Sequence, residues 1–72
     1  MFNFAERLKS LRTKNNLLQK QIAELIEVSD RQYRNYEAGK IDPPSSKLMI
    51  LADYFNVSLD YLVGRSDDPT RH

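Results

Sequence analysis

Apolar residues recur along this chain at intervals of three and four rather than in alternation, and they mark off five segments with helical periodicity. In the first, Phe4, Leu8 and Leu11 fall at i, i+4 and i+7, while Glu6, Arg7, Lys9, Ser10 and Lys14 take the other face. Asn3 with Glu6 makes an N-cap pattern, and the polar pair Asn15-Asn16 should end this helix. The second segment runs from about Gln19 to Glu27, with Ile22, Ala23 and Ile26 on one stripe and Lys20, Gln21, Glu24 and Glu27 mostly outside. Val28-Ser29 is a very short connection, and Ser29 followed by Gln32 matches the S-x-x-Q box that opens a new helix. That third helix carries Tyr33, Tyr36 and Glu37 inward and Asp30, Arg31, Arg34 and Asn35 outward, with Gly39 placed as a left-handed C-terminal cap. Residues 40–44 read as a loop, because Asp42-Pro43-Pro44 cannot continue a helix, although Pro44 suits the first turn of the next. The fourth helix, from about Ser45 to Phe55, buries Leu48, Leu51, Ala52 and Phe55 and ends at a left-handed Asn56, after which Val57 packs back onto the core. Ser58 caps a last short helix, Leu59 to Val63, closed by Gly64. The expected fold is all-α, five short helices in one domain over residues 1–64. Residues 65–72 have no apolar side chain to dock them and are expected to be a flexible tail or the stub of a linker.

Composition narrows the classes. Seventy-two residues hold one domain at most, and the absence of cysteine removes disulfides, thiolate metal sites and thiol nucleophiles together, which suits a reducing cytoplasm. The longest uninterrupted apolar run, Leu48 to Ala52, is far short of the roughly 20 residues of a membrane span, and no signal-like stretch follows Met1, so a soluble cytoplasmic protein is expected. The formal charge of +1 does not at first suggest a nucleic-acid binder. It averages two unlike halves: residues 1–40 hold eight Lys/Arg and five Asp/Glu, and residues 41–72 hold three and five. The basic half contains the second and third helices.

Two helices of under three turns, joined by so short a turn, must cross steeply and push the N-terminal end of the second one outward, as a helix is presented to a DNA groove. The side chains at that end have the donors and acceptors that read base edges. Arg31 and Arg34 can bridge the two acceptors of guanine, and Asn35 the acceptor and donor of adenine. Asp30 can accept from cytosine, or else make binding stricter by repelling wrong approaches. Gln19, opening the second helix, and Lys40, just past the third, are placed to hold phosphates and so fix register.

From Arg7 to about Gly64 these residues match a known pattern: Leu17-x-Gln19-x-x-Ile22-Ala23, then Val28-Ser29-x-x-x-Tyr33-x-x-Tyr36-Glu37-x-Gly39-Lys40, then Leu48-x-x-Leu51-Ala52-x-x-Phe55-Asn56-Val57-Ser58-Leu59-Asp60-Tyr61-Leu62. The chain resembles the Cro/repressor-type helix-turn-helix (XRE) family. The resemblance implies a lambda-repressor-like five-helix domain with Gln19 to Glu37 as the helix-turn-helix, and sequence-specific transcriptional regulation. It also implies a structural ion pair between Arg12 and Glu37, tolerable inside a small domain because the charges are matched. Three residues depart from the family pattern. Leu18 stands where Thr or Ser usually caps the second helix, Glu27 stands where Gly is common at the turn, and Asp30 is acidic at the first exposed position of the third helix.

A polar helix face can equally be a solvated face, and Tyr33 and Tyr36 belong to the inward stripe rather than to a base-stacking platform. Met49, Ile50, Tyr54, Leu59 and Tyr61 leave apolar surface that is either ordinary or a dimer face; a homodimer is favoured, since one short helix gives little affinity and two-fold proteins read two half-sites. Catalysis has nothing to work with, as His72 is the last residue and Asp67-Asp68 lie in the same tail; no enzyme activity, cofactor or metal is expected. The function expected is a repressor that binds double-stranded DNA as a dimer on a pseudo-palindromic operator. The alternative is an antitoxin-like or anti-repressor module that uses the same fold to bind a protein partner. A third possibility is the DNA-binding half of a longer regulator with a C-terminal domain beyond Arg65.

Overall fold

The computed structural model describes residues 3–71 and contains helices α1 (Phe4–Lys14), α2 (Gln19–Leu25), α3 (Asp30–Glu37), α4 (Ser45–Phe55) and α5 (Leu59–Leu62), with no strand among those residues. Local chemistry starts each one. The Oδ1 of Asn3 accepts from Glu6 N at 2.9 Å, the Oγ of Ser29 from Gln32 N at 3.0 Å and the Oγ of Ser58 from Tyr61 N at 3.0 Å, each satisfying a backbone donor that a first turn leaves orphaned. Leu18 offers α2 no such acceptor. The reciprocal bond is kept instead, from Leu18 N to the Oε1 of Gln21 at 2.7 Å. At Ser29 the box is half made, because the Gln32 amide donates to the Tyr36 hydroxyl at 3.3 Å rather than accepting at the cap.

All five helices stop by one device. A left-handed residue follows each, at Asn16, Glu27, Gly39, Asn56 and Gly64. The next amide then turns back onto the last turn, as in Leu17 N to Arg12 O, Val28 N to Ala23 O and Lys40 N to Asn35 O, at 3.0 to 3.1 Å. Asparagine and glycine enter that region cheaply, but Glu27, at φ 59°, does not. This capping also ends α2 at Leu25 and α5 at Leu62, slightly before the periodicity suggests.

The core is built from Leu8, Leu11, Ile22, Ala23, Ile26, Tyr33, Tyr36, Leu51, Ala52, Val57 and Leu62, with Leu48 and Phe55 half-buried at its edge rather than inside it. A further expectation is corrected. Arg7, read onto the outer face of α1, is buried: its guanidinium lies 3.8 Å from the centre of the Tyr61 ring and reaches Asp67 at 3.1 Å. Polarity sorting puts every arginine outside, but a planar, weakly hydrated guanidinium stacks on an aromatic face. The segment after Gly64, which has no apolar side chain to dock it, makes polar contacts with the helices. Ser58 N donates to Pro69 O at 3.1 Å, Arg65 N to Asp60 O at 2.8 Å, and the Arg71 guanidinium meets Asp53 at 2.6 Å. No helix among the described residues is long and apolar enough to cross a membrane.

Candidate nucleic-acid interface

The α2–α3 turn brings the left-handed Glu27 to Ser29, so that α3 starts immediately with its first residues in solvent. Asp30, Arg31 and Arg34 are exposed, Asn35 is half-buried, and Lys40 is exposed just beyond the Gly39 cap. None of these five side chains is engaged in a hydrogen bond or ion pair with another described residue. On the opposite side of α3, Tyr33 and Tyr36 are 0% and 2% exposed, which fixes the rotation of the helix about its axis. The outward set is therefore Arg31 and Asn35 flanked by Asp30 and Arg34.

Glu37 is the point at which the first three helices meet. Its carboxylate accepts from Arg12 Nε at 2.6 Å and Nη2 at 3.1 Å, from the Tyr33 hydroxyl at 2.5 Å and from the Gln19 amide at 3.2 Å. Arg12 adds a bond from Nη1 to Leu17 O at 2.9 Å, tying α1 to the start of α2 as well. Burial alone would push the Glu37 carboxyl up, but the donors from Arg12, Tyr33 and Gln19 outweigh it and hold the group below its usual value. The hydrogen bond to Glu37 raises Arg12 further, and burial followed by that same carboxylate raises Tyr33, so the arginine stays charged and the phenol stays protonated. The pairing of Arg12 with Glu37 implied by the resemblance is present.

Gln19 was expected to hold a phosphate. Its amide nitrogen is engaged inside the protein by Glu37, which ties the first residue of α2 to the last of α3. Lys9, given no role in the sequence reading, is brought to the same place. It lies with Arg12, Leu18, Gln19, Arg34 and Glu37 around an open depression of about 590 Å³ where α1, α2 and α3 converge. Its spacing of three from Arg12 on α1, which puts both on one helix face, was the signal that could have found it. Among the described residues no group of three or more His, Asp or Glu is placed to hold a metal ion. His72, the histidine considered for that role with Asp67 or Asp68, lies outside the described residues.

A helix-turn-helix family model matches residues 8–62. The chain is 42% identical over 66 residues to the uncharacterized HTH-type transcriptional regulator YobD of Bacillus subtilis, an alignment covering 92% of this chain and 59% of that one. It is 38% identical over 60 residues to the cryptic phage CTXphi transcriptional repressor RstR of Vibrio cholerae, covering 83% of this chain and 54% of the relative. The chain thus spans little more than half the length of these two relatives. Among solved structures, a transcriptional regulator from Listeria innocua superposes with a TM-score of 0.84 at 44% identity, over 86% of this chain and 58% of that one. The P22 c2 repressor, solved with a synthetic operator, superposes with a TM-score of 0.82 at 23% identity over 92% of this chain and 100% of that one, a likeness of fold. By the matched model, the identity to YobD and the helix-turn-helix held together at Glu37, the chain belongs to the XRE-type helix-turn-helix family.

Proposed function

We propose that this chain is the DNA-binding part of a sequence-specific transcriptional regulator, a repressor that binds a pseudo-palindromic operator as a homodimer. The observation that carries the proposal is the N-terminal part of α3. Arg31 and Asn35 stand exposed or half-exposed without protein partners, on a helix locked from behind by two buried tyrosines and by Glu37. In the major groove Arg31 bridges guanine O6 and N7, Asn35 engages adenine, and Asp30 accepts from a cytosine amino group. Lys40 and the start of α2 at Gln19 hold the flanking phosphates, which fix register. Repression is supported by the name of RstR, a repressor.

The dimer is supported by Met49, Ile50, Tyr54 and Leu59, which are 56%, 37%, 49% and 45% exposed on the outer side of α4 and at α5. Large apolar side chains in such numbers suit a self-complementary patch. Dimerisation places two copies of α3 about 34 Å apart, one helical turn of DNA. The test is affinity for operator-like and random duplexes at fixed salt, together with sedimentation of the Tyr54→Glu variant. The proposal expects at least a thousandfold preference for operator, and a monomeric variant that still folds. Equal affinity for the two duplexes contradicts sequence-specific binding, and an unchanged dimer in the variant contradicts the assigned face.

A further inference from the structure

Arg34 shares the outer face of α3 with the base-reading candidates, but it stands apart from them by rotation. At about 100° per residue, Asn35 lies some 40° to one side of Arg31 and Arg34 about 60° to the other, toward Glu37. An arginine three residues before a glutamate would ordinarily pair with it. Here the carboxylate is fully taken by Arg12, Tyr33 and Gln19, and Arg34 forms no ion pair with a described residue. Lys9 of α1, on the rim of the same depression, has no ion pair with a described residue either. The charge of Glu37 is matched by Arg12, and the depression is left with two uncompensated cations facing it from α1 and α3. The depression is an open one, and Arg34 on its rim belongs to the exposed face of α3.

We infer that Lys9 and Arg34 form a seat for one backbone phosphate of the bound duplex, so that Arg34 positions the protein on DNA rather than reading a base, and Lys9 is a contact residue on α1. This rests on the DNA-binding reading above and divides its α3 residues into two jobs. A phosphate held there ties α1 to the same DNA strand region as α3. The guanidinium and the ammonium act together through charge, with no requirement for a particular base.

Lys9→Ala, Arg34→Ala, the double variant and Arg31→Ala are each titrated against operator and random duplexes over a series of salt concentrations, with folding checked by thermal melting. Loss of either member of the seat is expected to weaken both duplexes alike, roughly eightfold near 0.1 M salt for one counterion no longer released, and to reduce the salt slope by about 0.9. Arg34→Lys is expected to restore most of the affinity, since charge and not a bidentate geometry is used. Arg31→Ala is expected to reduce operator binding selectively. The inference is overturned if Arg34→Ala lowers operator affinity alone with an unchanged salt slope, or if Lys9→Ala leaves both duplexes unaffected. Wild type that binds operator and random DNA equally, with the slope still falling in both variants, would instead remove sequence-specific regulation and leave the phosphate seat standing.

Discussion

The two halves of the molecule share one apolar core, but only one of them adds a charged junction to it. The first three helices meet on a charged carboxylate at 5% side-chain exposure, with every oxygen committed to a donor from another part of the chain. Helices α4 and α5 and the intervening Val57 pack by Leu51, Ala52, Val57 and Leu62, carry the exposed ion pair of Asp53 with Arg71, and leave Met49, Tyr54 and Leu59 in solvent. A directional, geometrically demanding junction sits where α3 must be aimed, and a smoother apolar contact sits where aim matters less. Buried polar networks are poor sources of net stability but good at excluding alternative packings. On that view the Arg12–Glu37 pair fixes the orientation of α3, whose half also supplies most of the core, while α4, α5 and Val57 close that core with Leu51, Ala52, Val57 and Leu62 and carry the face proposed for self-association.

The largest expected effect comes from breaking the junction. Glu37→Ala leaves the half-buried Arg12 with only its Leu17 carbonyl bond and is expected to cost about 2–4 kcal/mol of unfolding free energy in urea titration. The same carboxylate sets an acid limit. Its folded-state pKa is depressed, so its contribution is fully present above the unfolded value of about 4.3 and is lost as pH falls through the lower folded value. The stability gap between wild type and Glu37→Ala should therefore be constant near neutrality and shrink below about pH 4. Arg31→Ala, by contrast, touches no protein partner: it is expected to leave the melting temperature unchanged and cost about 1–3 kcal/mol of operator affinity, relaxing preference at one base position.

Smaller effects test the turn and the opposite half. Glu27→Gly relieves a left-handed non-glycine residue at φ 59° and is expected to raise stability by about 0.5–1 kcal/mol, without altering DNA preference. The exposed pair of Arg71 with Asp53, for all its short distance of 2.6 Å, should be worth under about 1 kcal/mol and be screened by salt. An effect of Arg71→Ala as large as that of Glu37→Ala would erase the contrast between the halves.

Much of this arrangement is legible in the chain itself. Helical periodicity, the Asn3, Ser29 and Ser58 caps and the left-handed stops at Gly39 and Asn56 are local signals, and local signals survive folding. What the pattern could not supply are contacts between residues far apart in sequence. Arg7 looks like any surface arginine until the Tyr61 ring is placed over it. Residues 65–71 look undockable when only apolar anchors are counted, because their anchors are backbone amides and two ion pairs. Gln19 sits at the right place to face a phosphate, yet nothing local says that its amide will be turned toward Glu37. The Arg12–Glu37 pair came from a family resemblance, since two opposite charges on different helices do not reveal themselves by spacing.

The central claim is that α3, held in place by Glu37, reads DNA sequence. Selection of bound duplexes from a random pool, with wild type and Arg31→Ala side by side, tests it most directly. The account predicts a two-fold symmetric enriched site with half-sites about one helical turn apart, and loss of preference at a single position of each half-site in the variant. No enriched sequence from wild type, or an enriched site that Arg31→Ala leaves unchanged at every position, would contradict it.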